Sequence, residues 1–136
     1  MTATNQKTFS MKDPMVIDIE QHNRVCILRC KGRFVAGPEM DYMQTRMGDI
    51  KQLGCAKVLA DFQDVTSLGS LGVTFLVGVY ASVVRKPGGR FVLVGASPHV
   101  KHVLDLTQLT TVIPQASNLA SALAALATED RAEANL

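Results

Sequence analysis

Read for the spacing of its apolar positions, the chain divides into short alternating stretches and longer stretches of helical period. Met15–Glu20 alternates, with Met15, Ile17 and Ile19 on one face and Val16 and Asp18 on the other, the pattern of a half-buried strand. Arg24–Lys31 alternates again, Val25, Ile27 and Arg29 against Cys26, Leu28 and Cys30. The polar Gln21-His22-Asn23 between the two predicts a β-hairpin. Gly32–Gly37 reads as a loop, and Pro38 suits the first turn of a helix. Met40, Met43, Met47, Ile50 and Leu53 then recur at helical spacing until Gly54 stops the run. A methionine stripe of this kind can be an adaptable binding surface, but gap-filling in a core is its commoner use.

Lys57–Phe62 is a short apolar run suited to a central strand, leading through Gln63-Asp64 into the stretch around which the rest is organised, Val65–Val84. That stretch opens as a loop, Thr66-Ser67-Leu68-Gly69-Ser70, and continues as a helix with Leu71, Gly72, Phe75, Leu76, Val79 and Val83 on one wide face. Val73, Val77 and Val84 make the other side apolar as well, so the helix is either buried or turned toward a partner. Its β-branched residues favour a strand by propensity; its length and the interruptions at Gly72 and Gly78 decide for helix. Pro87-Gly88-Gly89 ends it, and Arg90–Gly95 is the next buried strand. Ser97-Pro98 opens a helix with serine as N-cap and proline in the first turn. Thr111-Val112-Ile113 is expected as an edge strand, and Ser117 as the cap of an alanine-rich helix over Asn118–Ala127.

The order β-β-α-β-α-β-α-β-α makes this an α/β protein with a mixed sheet of about five strands and about four helices. The opening hairpin is antiparallel and the later strands are joined by right-handed parallel crossovers. One domain is expected over residues 14–127, with flexible tails at 1–13 and 128–136.

Composition narrows the function. A net charge of +2, no tryptophan and 5% aromatic residues argue against a nucleic-acid footprint or a base-stacking surface. The N-terminal residues lack the apolar segment of a secretory signal, and the longest apolar run, Leu71–Val84, is shorter than the roughly 20 residues of a membrane span. The expectation is a cytoplasmic protein. The three cysteines fit that compartment: Cys26 and Cys30 sit about 13 Å apart along one strand, too far for a disulfide with each other or for sharing one metal, and these two are expected to be small buried hydrophobes.

No catalytic constellation appears. His99 and His102 have a helical spacing that could share a metal, but no second ligand pair matches, and a surface role is the plainer reading. Asp61 and Asp64 could form a carboxylate pair near Ser70, yet no base is visible to activate a nucleophile. No metal, cofactor or enzymatic activity is expected.

The succession Val58–Gly72, then Gly88-Gly89-Arg90-Phe91-Val92-Leu93-Val94, then Ser97-Pro98-His99-Val100, resembles the STAS domain, the fold of bacterial anti-sigma factor antagonists and of the cytoplasmic tails of sulphate transporters. The resemblance covers Met15–Leu126. In that family a strand aspartate, here Asp61, leads to an Asp-Ser-Ser-Gly loop whose first serine is phosphorylated by a dedicated kinase. The loop falls on Gly69-Ser70-Leu71-Gly72, so the acceptor corresponds to Ser70. Gly69 stands where the family has aspartate, Leu71 where it has the second serine, and Val35 where a further aspartate follows the second strand.

The resemblance implies a protein-binding module whose surface comprises Phe34, Val35, Ala36, Gly37, Ser67, Leu68, Gly69, Ser70, Leu71 and Thr74, with Asp61 and Asp64 as supporting acids. It implies an anti-sigma factor that is also a serine protein kinase as partner; sequestering it would free a sigma factor. Other STAS proteins or a second copy of this chain are alternative partners. Phosphate on Ser70 would meet free backbone N–H groups and the positive end of a helix dipole while adding charge to a docking surface; the plainer role for Ser70 is an N-cap worth about 1 kcal/mol. Two other functions stay open: a phosphate-independent assembly subunit, favoured by the missing aspartates at 35 and 69, and an anion or nucleotide sensor using the Gly69–Gly72 helix start.

Overall fold

The computed structural model describes residues 14–22, 24–35 and 40–134. The predicted tail at 1–13, Pro38, and Ala36 and Gly37 of the predicted surface lie outside them.

Five strands form one sheet in the order β1-β2-β3-β4-β5. β1 (Val16–His22) and β2 (Val25–Phe34) are antiparallel and stay paired as far as His22 opposite Val25, so Gln21 and His22 belong to the strand rather than to the turn. α1 (Met40–Leu53) follows, then β3 (Lys57–Leu68), α2 (Ser70–Val84), β4 (Arg90–Val94), α3 (Pro98–Leu106), a single 3-10 turn (Leu109–Thr111), β5 (Gln115–Ala116) and α4 (Leu119–Ala134). β2, β3, β4 and β5 are mutually parallel. This is the predicted mixed α/β sheet with four helices.

The alternation along the strands separates two cores. Ile17, Cys26, Leu28, Cys30, Val58, Ala60, Phe91 and Leu93 point to one face and pack with Met43 and Ile50 of α1, Phe75, Leu76, Val79 and Val83 of α2, and Val100 and Leu104 of α3. Ile27, Leu59, Val92 and Val94 point to the other face, beneath Ala122 and Leu126 of α4. Period-two side chains on strands buried from both sides require this division. The methionine stripe of α1 is mainly core: Met43 is buried and Met47 packs against it, while Met40 and Leu53 at the two ends are exposed. Gly54, at φ +64°, turns the chain out of α1 in the left-handed conformation that ends helices.

Further expectations are corrected. Asn118, not Ser117, caps α4, its Oδ1 accepting the Ser121 N–H at 2.8 Å, and the helix runs on to Ala134. β2 continues to Phe34 where a loop was expected from Gly32. β3 does not end at Phe62 but runs to Leu68, because two β-bulges insert extra residues opposite β2, one between Arg29 and Lys31 and one between Gly32 and Arg33. Gln63, Asp64 and Thr66 are thereby absorbed as exposed strand positions. The edge strand forms at Gln115–Ala116, since Thr111 closes a 3-10 turn and Ile113 turns into the core instead. Finally, Cys26 and Cys55 are joined by a disulfide, with α-carbons 6.1 Å apart; Cys30 alone is the small buried hydrophobe that was expected. β2 and α1 explain the pairing. The 14-residue helix returns about 21 Å along the sheet, bringing Cys55 back to the start of the strand that carries Cys26.

The outer edge of β1 is covered from α1. The Tyr42 hydroxyl accepts from the Ile17 N–H at 2.9 Å, and Arg46 Nε donates to the Ile17 carbonyl at 3.0 Å. An edge strand whose backbone groups are already engaged offers less of a template for strand addition.

Candidate functional site

The site lies where β2 and β3 end and α2 begins. Phe34 and Leu68 are the last residues of the two strands and register partners. Phe34 is fully buried, its ring 5.7 Å from both Phe62 and Phe75, so an aromatic cluster floors the site. The Gly69 N–H donates to the Phe34 carbonyl at 2.9 Å, and the Gly69 carbonyl accepts from Val73 N–H at 3.0 Å. One glycine therefore ends the sheet and starts the helix.

Gly69 is the N-cap of α2 and, having no side chain, makes no side-chain capping bond. Ser70 is the first helical residue, not the cap. It is exposed, and its hydroxyl makes no hydrogen bond among the described residues; only its carbonyl is engaged, accepting from the Thr74 hydroxyl at 3.0 Å. No acidic residue occupies the first turn. The pole thus carries free helix N–H groups, the positive end of the dipole and a free hydroxyl.

Gly72 is fixed by space. A β-carbon there would lie 2.6 Å from the Phe34 carbonyl oxygen and 2.8 Å from Phe34 Cβ, so α2 can approach the end of β2 this closely only with glycine. A β-carbon at Gly69 would meet Val35 Cγ1 at 3.2 Å. The two positions at which aspartates are missing are therefore neighbours, and a small residue fits against a branched apolar one.

The remaining predicted residues divide. Ser67, half-buried and opposite Arg33, and the exposed Thr74 border the pole, as do half-buried Leu71 and Val35; Phe34 and Leu68 lie beneath it, buried. Asp61 and Asp64 are not brought to Ser70. Asp64 is in register with Lys31, about 20 Å of extended chain before the serine. Asp61 is farther back, within hydrogen-bonding reach of Arg29 Nη1 at 3.5 Å and accepting from Gln63 N–H at 3.0 Å. Arg29 also donates to Glu20 at 2.7 Å, which holds that carboxyl below its ordinary value, with His22 as the smaller contributor. This is an ion network on the open part of the sheet face.

One residue was missed. His99, expected only as a solvated helix residue, accepts the Leu68 N–H on Nε2 at 3.5 Å and so touches the strand end that precedes Ser70. Nothing in the local sequence signals a contact made by a separate element across the sheet end. Among the described residues no three His, Cys, Asp or Glu gather to hold a metal, and no helix is long and apolar enough to cross a membrane.

The profile of the STAS domain matches residues 16–122. The chain belongs to the STAS domain family. The anti-sigma factor antagonist of Mycobacterium paratuberculosis superposes with a TM-score of 0.73 at 23% identity, over 84% of this chain and 95% of its own. The anti-sigma-factor antagonist (STAS) domain protein of Planctomyces limnophilus gives 0.70 at 24%, over 82% and 97%. The Bacillus cell fate determinant SpoIIAA in its phosphorylated form gives 0.58 at 17%, over 76% and 93%. No curated protein sequence matches the chain. At these identities the likeness is one of fold, and it covers nearly the whole of each STAS neighbour.

Proposed function

We propose that this STAS domain is a protein-docking regulatory module of the anti-sigma factor antagonist kind. Its docking surface is the pole formed by Val35, Ser67, Gly69, Ser70, Leu71 and Thr74, with Phe34 and Leu68 as its floor. Its partner is an anti-sigma factor that is also a serine protein kinase, and any ATP belongs to that partner. The observation that carries this reading is the Ser70 hydroxyl: exposed, at the first position of α2, and unused by the fold among the described residues. A phosphate there would be received by the first-turn N–H groups and the helix dipole, while placing nearly two negative charges on the docking surface. It would switch binding without unfolding the domain. SpoIIAA, which shares the fold, exists in unphosphorylated and phosphorylated forms.

The Val35–Gly69 contact favours a second reading. With no carboxylate at either position, the pole packs a small residue against an apolar one, a surface suited to docking that phosphate does not control, as in a constitutive assembly subunit.

Affinity capture from native lysate with wild-type and Ser70→Asp baits separates the two. A serine-kinase-like anti-sigma factor held by wild type and lost from the aspartate variant is the expected result. The same partners on both baits would overturn the switch and leave the assembly subunit; a second copy of this chain as the sole partner would overturn the antagonist reading.

A further inference from the structure

We propose that Cys26 and Cys55 form a reversible thiol–disulfide switch that ties or frees the far end of α1. Three observations carry it. The two sulfurs are bonded across 29 residues of sequence. Their surroundings are unequal: Cys26 is fully buried in β2, whereas Cys55 is half-buried in the connection between α1 and β3, with the exposed Gln21 amide 3.8 Å from its sulfur. The third cysteine is out of play, since Cys30 is buried and lies about 13 Å from Cys26 along β2, too far to exchange with it.

The asymmetry assigns the chemistry. In the reduced protein the Cys55 thiolate, reachable from solvent, attacks one sulfur of a small-molecule disulfide such as oxidised glutathione and expels one small thiolate. The buried Cys26 thiolate then attacks the Cys55 sulfur of the mixed disulfide and expels the second. The protein loses two protons and two electrons, and the small disulfide leaves as two thiols. Reduction is the reverse, with a small thiolate attacking at Cys55.

The closed loop contains β2, the chain between Phe34 and Met40, and all of α1. Without the bond, the last turn of α1 is held by Ile50, while Tyr42 and Arg46 secure its first half to β1. Leu53 is exposed and a side chain at Gly54 would meet nothing within 4 Å, so beyond Ile50 this end has little else to hold it. The exchange is a property of the two sulfurs and stands apart from any partner at Ser70.

The test equilibrates the purified full chain in glutathione buffers of increasing oxidised fraction. Free thiols are blocked with maleimide for mass analysis, and amide hydrogen exchange is followed in the same samples. With the maleimide added in denaturant after quenching, the expected result is a reversible passage from a form in which Cys26, Cys30 and Cys55 are all labelled to one in which Cys30 alone is. Exchange in residues 48–56 should be at least tenfold slower in the oxidised form, and its unfolding midpoint higher by roughly 10 °C. The Cys55→Ser variant, altered at a half-exposed position, should match the reduced protein at every ratio, and Cys26→Ala should do the same if it folds. Three outcomes would overturn the proposal: both thiols labelled in every buffer, a bond that glutathione opens only in denaturant, or identical exchange in the two forms.

Discussion

Two of the helices begin beside a serine, and they use it in opposite ways. At α3, Ser97 is the N-cap: it is half-buried and its Oγ accepts the Val100 N–H at 3.2 Å, with Pro98 at the next position. At α2 the cap is Gly69, and Ser70 stands one residue further on, exposed, with its hydroxyl unused. The capped start is closed, its orphan donors partly satisfied from within. The other start is open, because the cap position is occupied by the residue that must hydrogen-bond to Phe34 and fit against Val35. A serine spent on a cap is structural. One displaced from it by a single position is free for chemistry or docking.

Substitutions can break this comparison, beginning with the one that should cost most. Gly72→Val would drive side-chain atoms into the Phe34 backbone, where even one β-carbon collides, and should lose about 4 kcal/mol of stability in denaturant titration. A loss below about 1 kcal/mol would mean that the open helix start does not depend on this close approach. Next comes the pair of serines. Ser97→Ala should cost about 1 kcal/mol, the usual worth of an N-cap, while Ser70→Ala should leave the midpoint within error. Equal losses would show that Ser70 caps α2 after all. The smallest effect lies at the missing carboxylates. Gly69→Asp adds a capping oxygen but crowds Val35, so it should be nearly neutral alone and should stabilise by about 0.5 kcal/mol in a Val35→Ala background. Additive effects in that double-mutant cycle would show that the two positions are not coupled.

The two ends of α1 make the same point in a different form. Near its start, side chains of Tyr42 and Arg46 engage the β1 edge by hydrogen bonds. Just past its end, Cys55 is linked covalently to β2. Closing a loop of this length stabilises a fold by about 3–4 kcal/mol in the chain-entropy account, several times the worth of one hydrogen bond.

What the sequence determined by itself is whatever local period and local breakers encode. The alternation of Val25–Cys30, the wide apolar face from Leu71 to Val83, the stop at Gly54 and the Ser97-Pro98 cap all act within a few residues, so they specify strand, helix and boundary before any tertiary contact forms. Parallel strands separated by helices then leave few topologies, and the element order was legible for that reason. The features that only the tertiary structure decided are relations between distant segments. β3 runs through Gln63-Asp64 because β2 beside it supplies partners and tolerates two bulges, which no propensity of those polar residues announces. Cys55 finds Cys26 because α1 returns along the sheet by about the length of the strand. Asp61 is turned to Arg29, and His99 to the end of β3, by neighbours more than 30 residues away. The position of Ser70 was legible, but its role was not. Whether a serine caps a helix depends on which residue has the cap's extended backbone, and here the hydrogen bond from Gly69 to Phe34, a contact between two strand ends, settles it.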